Sequence, residues 1–366
     1  MDIHICYNHN EQVFNVQETT PINNIFDMAQ SAMEIEGNII DYYFYFGNSI
    51  QIIDSRPISS IIGNNNNTLF LISKNDYAFL DNYLKNISPS LVATSAEFCC
   101  DTQRIINVIS SLHRFIANFS LEDVMLNVYS IIPVDRFDEL DGDAKVIEIT
   151  KWFKEEFFTY VKDLKCHNCG SETQRLNKAG GVSKEEAKHL ANQCELYYCN
   201  KCGATTRFPR YNDISKLIET RKGRCGEFSN MLAAILKASG YDIRLVADMN
   251  DYLWIEYWSD EKGRYVHIDP IQNIIDQPLM YEEKMGKKHT WIIAVGEGQC
   301  ADVTQKYTKN IDECIRRRSI QTSEEWYFKY IKFKNDEYVN CIEDVEERKE
   351  IQERQHNDSE IVKLTQ

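Results

Sequence analysis

Apolar and polar positions change rhythm several times along this 366-residue chain, and each change marks a segment. Met1, Ile3, Ile5 and Tyr7 alternate with polar neighbours, the period of a half-buried strand, and Val13 to Val16 can return as the second arm of a hairpin. Thr20 and Pro21 suit the cap and first position of a helix. Ile22, Ile25, Phe26, Ala29 and Met33 then recur at helical spacing. Short strands follow over Tyr42 to Phe46 and Thr68 to Ser73, with Asn64 to Asn67 as a polar turn. Residues 74 to 160 read as helical. Ile105, Val108, Ile109, Leu112, Ile116 and Phe119 form one stripe, and Ser120 with Asp123 has the spacing of a capping box for the next helix. After a polar break at Asp138 to Asp143, Ile147, Trp152, Phe153, Phe157 and Phe158 mark a helix whose aromatic residues read as core rather than as a binding face.

Further along, Cys225 leads a run with Phe228, Met231, Leu232, Ile235 and Leu236 at helical spacing. Three strands follow, at Ile243 to Ala247, Tyr252 to Trp258 and Tyr265 to Asp269. Beyond Asp312 the chain is charged. Glu343 to Gln355 suits a solvated helix, and the polar last ten or so residues suit a disordered tail. The pattern divides the chain into a small domain at 1–73, a helical linker at 74–130, a core at 131–320 and an extension at 321–366. The order of strands and helix in the first segment is that of a β-grasp, or ubiquitin-like, fold; an unrelated small α+β domain is the plainer alternative. The fold class is α+β.

Charge and hydropathy then exclude several function classes. With 56 acidic against 41 basic residues the formal net charge is -15, the wrong sign for general binding to a nucleic-acid backbone. No stretch approaches the ~20 apolar residues of a membrane helix. Residues 1 to 16 lack a basic stretch followed by an apolar run, so no secretory signal is expected there. A soluble cytoplasmic protein is the expectation.

In a reducing compartment, the twelve cysteines point to metal binding or chemistry rather than to disulfides. Cys166-His167-Asn168-Cys169 and Cys199-Asn200-Lys201-Cys202 are two C-x-x-C pairs, each followed by a glycine, Gly170 or Gly203. Two residues between thiolates let both sulfurs face one ion, and two such knuckles make the closed tetrahedron of one structural zinc. Redox-active dithiols and unrelated core cysteines are the other readings. Cys194, His167 and His189 fall outside the pairing.

Lys222-Gly223-Arg224-Cys225-Gly226-Glu227 places a cysteine at the first turn of the next helix, beside the cations Lys222 and Arg224. Helix dipole and cations both favour thiolate, the mark of a sulfur nucleophile. A cysteine amidase also needs a base for the thiol proton and an acid for the leaving nitrogen; imidazole serves both near neutrality, usually oriented by a carboxylate.

The run Arg207-Phe208-Pro209-Arg210-Tyr211-Asn212-Asp213 continues to Glu219-Thr220-Arg221-Lys222-Gly223-Arg224-Cys225-Gly226-Glu227. It closely resembles the cytosolic peptide:N-glycanases, which have a transglutaminase-like, papain-like core. Lys151-Trp152-Phe153-Lys154, Phe157-Phe158, the two knuckles, and Asp276-Gln277-Pro278 through Asp302-Val303-Thr304 are similar to the same family, over roughly residues 130 to 320. The resemblance implies hydrolysis of the amide between N-acetylglucosamine and asparagine on misfolded glycoproteins. It makes Cys225 the nucleophile and Asp269 the orienting acid. The histidine is expected at 252, where this chain has Tyr252 between the family-like Asp251 and Trp254. His267 can stand in for it or be structural; the family has a histidine at the matching place besides its catalytic one. Gln272 occurs where the family commonly has a substrate-binding glutamate. The resemblance also implies that Arg244, Trp254 and Glu256 line the sugar cleft, core packing being the other reading of Trp254.

A phenol is a poor base at neutral pH. Two functions therefore stay open: a zinc-stabilised amidase linked to the degradation of misfolded proteins from the endoplasmic reticulum, or a catalytically silent relative that binds glycoproteins. Either would meet proteasome-linked shuttle factors through a ubiquitin-like domain. A protein-crosslinking transglutaminase would use the same nucleophile, but it too would want the histidine, and the glycanase-like runs argue against it.

Overall fold

A computed structural model describes residues 1–7, 10–33, 35, 38–46, 49–51, 53–62, 68–74, 95–191, 193–318 and 324–364. The alternating start forms β1 (Asp2–Tyr7), which pairs antiparallel with β2 (Asn10–Asn15), Ile3 opposite Phe14. Helix α1 (Ile22–Met33) begins one residue later than the sequence suggests, because Pro21 instead bridges to Pro57. Then come β3 (Tyr42–Phe46), β4 (Ser49–Gln51) and β5 (Thr68–Ser73). The sheet order is β2-β1-β5-β3-β4, with β5 parallel to β1 and antiparallel to β3. Ile3, Ile5, Leu69 and Leu71 meet Ile22, Ile25, Phe26 and Ala29 of α1 in one core. The turn expected at Asn64 to Asn67, and residues 75–94 of the expected helical stretch, lie outside the described residues.

Helix α2 (Ser95–Phe119) buries Ile105, Ile109, Leu112, Ile116 and Phe119, the stripe seen in the sequence. The capping box expected at Ser120 does not form. Its hydroxyl donates to the Ile116 carbonyl at 2.8 Å, satisfying an acceptor of the last turn of α2, and α3 (Glu122–Ile131) is capped at Leu121. Helix α4 (Gly142–Trp152) runs on into one π turn, Phe153–Phe157. Trp152, Phe153, Phe157 and Phe158 are buried as core, whereas Ile147 is exposed.

The described residues divide into two compact units, Met1–Val108 with Asp163–Asn212, and Ile109–Lys162 with Asp213–Gln366. The first also holds β7 (Gln174–Gly180), α5 (Lys184–Ala187), β8 (Cys194–Tyr198) and β9 (Thr205–Pro209), the strands forming an antiparallel sheet. The second unit holds β6 (Thr159–Tyr160), α6 (Ile214–Thr220), β10 (Lys222–Gly223) and α7 (Cys225–Ala238). Strands β11 (Ile243–Asp248), β12 (Tyr252–Ser259), β13 (Arg264–Asp269) and β14 (Ile274–Ile275) come next, close to the expected limits. They are followed by α8 (Met280–Glu283), β15 (Ile292–Gly296), β16 (Gln299–Asp302), α9 (Ile311–Arg318), α10 (Glu324–Asn340) and α11 (Val345–Leu364).

Among the described residues the second unit is built on a six-stranded sheet of order β14-β13-β12-β11-β15-β16. Helix α7 is buried from Glu227 to Leu236 and is tied to β12 by the Ser229 hydroxyl, which donates to the Leu253 carbonyl at 2.9 Å. Where the sequence suggests a disordered tail, α11 continues to Leu364. The reason is Asp358: its carboxylate accepts the Tyr265 amide at 3.0 Å and pairs with Arg244 at 2.6 Å, anchoring the helix on the sheet. No described helix is long and apolar enough to cross a membrane.

Candidate functional site

Three elements of the second unit converge. Cys225 is the first residue of α7, after the cap Arg224, whose amide donates to the Glu227 carboxylate at 2.9 Å. The thiol is half-buried at the positive end of the helix dipole, where a thiolate is favoured. Tyr252 opens β12 after Asp251, which adopts φ 66. Asp269 closes β13 and is fully buried. Gly223 lets this approach happen: a Cβ there would lie 2.2 Å from Cβ of Glu227 and 3.3 Å from the Phe158 ring. With no side chain, β10 can pair parallel to β6 directly before the cysteine.

The carboxylate of Asp269 is saturated with donors. Oδ1 accepts the amides of Ile271 and Gln272, both at 2.9 Å; Oδ2 accepts the hydroxyls of Tyr252 at 3.1 Å and Tyr281 at 3.2 Å. Four donors are the environment of an ionised carboxylate, which only accepts. Burial nonetheless raises the Asp269 pKa, against the pull of the Gln272 amide, the two phenols and the Ile271 amide. Burial, the Asp269 charge and hydrogen bond, and the charge of Cys225 push the Tyr252 phenol well above its ordinary range. Tyr252, at the position where the sequence suggests an imidazole, thus bonds Asp269 as a donor that keeps its proton. Lys287 lies 4.8 Å above its ring.

His267 does not stand in. It is buried, its Nε2 meets the Tyr281 hydroxyl at 2.8 Å, and burial pushes its pKa down to about 3. It is a neutral core histidine at neutral pH. Gln272 is exposed and contributes its backbone amide to Asp269.

The three residues expected to line a sugar cleft are buried in this structure. Arg244 and Glu256 face each other on β11 and β12 as a buried ion pair, with Asp358 and Lys306 completing the charge balance and the Tyr307 hydroxyl donating to Glu256 at 2.6 Å. Trp254 is fully buried, stacked on Tyr281 with ring centres 4.3 Å apart. Alternation along β12 explains this: Tyr252, Trp254 and Glu256 share one face, and beyond Tyr252 that face is covered by Tyr281 and Tyr307. Tyr281 and Asp358 were missed in the sequence. Tyr281 follows the family-like Asp276-Gln277-Pro278, the only signal for it; Asp358 sits in a charged run and has none.

In the first unit the four paired cysteines meet. Their sulfurs all lie within 4.8 Å of one another, with Cys166 and Cys202 3.5 Å apart and Cys169 and Cys199 3.6 Å apart. A tetrahedral thiolate set with metal–sulfur bonds of ~2.3 Å has edges of ~3.8 Å, so the cluster fits a metal ion. Gly170 at φ 69 and Gly203 at φ 72 make the tight turns, their amides bonding the carbonyls of Cys166 and Cys199 at 2.9 Å. Hydrogen bonds from the Ser171 hydroxyl and amide and from the neighbouring sulfurs pull the Cys169 thiol down to about 6. Against the pull of the Ala204 amide, the sulfurs of Cys166 and Cys169 push Cys202 up to about 11, so the thiols of the cluster titrate unequally. Cys194 is buried outside this set, His167 bonds Thr206, and His189 packs on Tyr211.

Parts of the chain are similar to known proteins. Residues 173–270 match the transglutaminase-like superfamily, and residues 248–352 match the Rad4 transglutaminase-like domain. The peptide-N(4)-(N-acetyl-beta-glucosaminyl)asparagine amidase of Mus musculus is 40% identical over 179 residues, 49% of this chain and 28% of the relative. That of Saccharomyces cerevisiae is 42% identical over 168 residues, 45% of this chain and 46% of the relative. That of Oryza sativa is 43% identical over 167 residues, 46% and 37%. The chain thus spans less than half the length of these curated relatives. A solved structure of Rad4–Rad23 crosslinked to an undamaged DNA aligns with a TM-score of 0.44 at 13% identity, over 70% of this chain and 58% of that one.

Proposed function

From the chain's membership of the peptide:N-glycanase family, with its transglutaminase-like domain, we propose that it engages N-glycosylated polypeptides at Cys225 while hydrolysing their glycan amide only weakly. The single observation that supports this is the Tyr252 hydroxyl, 3.1 Å from Asp269 as a donor. In the working sequence of such an amidase, the Cys225 thiolate attacks the amide carbon linking sugar to asparagine, and a protonated base hands its proton to the departing glycosylamine. Water then releases the aspartyl product from sulfur. Tyr252 holds a proton too tightly to give it up and regains none from the thiol, so attack is left to whatever thiolate the helix dipole maintains.

The same reading assigns one structural zinc to Cys166, Cys169, Cys199 and Cys202. It reads residues 1–73 as a ubiquitin-like domain, on the strength of a helix packed on a five-stranded mixed sheet. That domain would meet proteasome-linked shuttle factors in the cytoplasm, in the degradation of misfolded glycoproteins from the endoplasmic reticulum.

The test is retention against turnover. Immobilised protein should retain a denatured N-glycosylated protein at neutral pH, release its enzymatically deglycosylated counterpart, and leave the glycan in place over hours. Equal retention of both forms, or complete deglycosylation within minutes, overturns the proposal.

A further inference from the structure

We propose that Tyr281 is a positioning residue for the Cys225 site, fixing Asp269 through a buried relay that begins at His267. This deepens the reading of the same site and rests on it for its catalytic consequence only. The relay is geometric. Tyr281 is fully buried on α8; its single hydroxyl lies 2.8 Å from Nε2 of His267 and 3.2 Å from Oδ2 of Asp269. Its ring is gripped on two sides, stacked on Trp254 at an interplanar angle of 23° and set edge-on to His267 at 89°. Trp254 therefore serves the site as a floor beneath Tyr281.

Proton counting fixes the direction of the relay. The other imidazole nitrogen, Nδ1 of His267, is buried and has no hydrogen-bond partner among the described residues. A proton on Nδ1 would be a buried donor with nothing to bond, an unfavourable state. Neutral His267 thus carries its proton on Nε2 and donates to the Tyr281 oxygen. Tyr281 in turn gives its own proton to Asp269. Every donor has an acceptor, and Oδ2 is held from the interior while its remaining lone pair is presented to position 252. In this chain Tyr252 takes that lone pair. An imidazole at 252 would find the carboxylate already aimed at it.

Asp269 faces the two phenols and two amides already described; Tyr252 faces Cys225, Tyr160 and Lys287; Tyr281 faces Tyr307 and His289; and His267 faces Glu256, Lys306 and Tyr307. Of these, Tyr281 alone joins His267 to Asp269.

The experiment has a structural and a catalytic arm. In the unaltered protein, 15N chemical shifts of His267 should report the Nε2–H tautomer, and the Asp269 carboxyl carbon should titrate at higher pH in Tyr281→Phe. An Nδ1–H tautomer, or an unmoved Asp269 titration in a folded Tyr281→Phe protein, overturns the relay. In the catalytic arm Tyr281→Phe is added to Tyr252→His. We expect kcat for deglycosylation to fall on the order of tenfold, as for loss of one hydrogen bond to a charged group. KM should be little changed and the acid limb of the pH profile should move upward. An unshifted profile contradicts the positioning role. A silent Tyr252→His protein would instead overturn the proposed function, while the tautomer and Asp269 titration would still decide the relay.

Discussion

Tyr252 and His267 show how burial decides what a titratable side chain can do. The phenol, part-buried against a carboxylate, cannot ionise near neutrality; the imidazole, sealed in the core, cannot protonate there. The second fact has a consequence for stability. His267 has a folded pKa of about 3, below its unfolded value of ~6.5, so between these limits the unfolded chain binds the extra proton. Its contribution is therefore present above the unfolded pKa and lost as pH falls, on the order of 3–5 kcal/mol across the whole window. His113, also held below its ordinary value chiefly by burial, adds to the same slope. Urea unfolding of the unaltered protein and His267→Gln between pH 6.5 and 4.5 isolates the part due to His267. We expect a visibly flatter dependence in the variant; parallel curves would show that His267 is not buried as a neutral base.

At the scale of elements, α11 and the cysteine knuckles carry the tests. Asp358 projects from α11 into a socket formed by Arg244, Lys306 and the Tyr265 amide, where Glu256 alone leaves one positive charge in excess. Asp358→Asn should cost about 3 kcal/mol, as when one partner of a buried ion pair is removed. Denaturant unfolding checks this, and a change within error would mean that α11 is not docked. Purified protein should carry about one zinc, and chelation or Cys199→Ser should lower its melting temperature. A metal-free preparation of equal stability contradicts the clip. Gly223→Ala forces a Cβ into Glu227 and should cost about 1–3 kcal/mol through overpacking. Loss of iodoacetamide reactivity at Cys225, with the fold retained, would mark displacement of the helix start.

The difference between what the chain announces and what it conceals is also one of elements. Strands with strict alternation, the α7 stripe and the paired knuckles were legible, because short-range periodicity and spacing fix them. Position 252 was legible too, since it lies between residues of a recognisable motif. The interior role of Arg244, Trp254 and Glu256 was not. A strand shows which residues share a face, but whether that face meets solvent depends on Tyr281, Tyr307 and Asp358, which arrive from 27, 53 and 104 residues beyond Trp254. The ordered end of α11 was hidden for the same reason, one long-range charge pair inside a polar run.

For the whole molecule, the proposed function turns on one position: Cys225 starts the helix, Asp269 ends the strand, and Tyr252 bonds Asp269 as a donor where that proposal calls for a base. General acid–base assistance contributes ~10²–10⁴ in rate, so its absence is large enough to measure directly. The decisive measurement is the initial rate at which a denatured N-glycosylated protein loses its glycan, compared between the unaltered chain and Tyr252→His at neutral pH. The account predicts a rise of ~10²–10⁴, abolished again by adding Cys225→Ala. An unaltered chain already working within a few-fold of the histidine variant would contradict it.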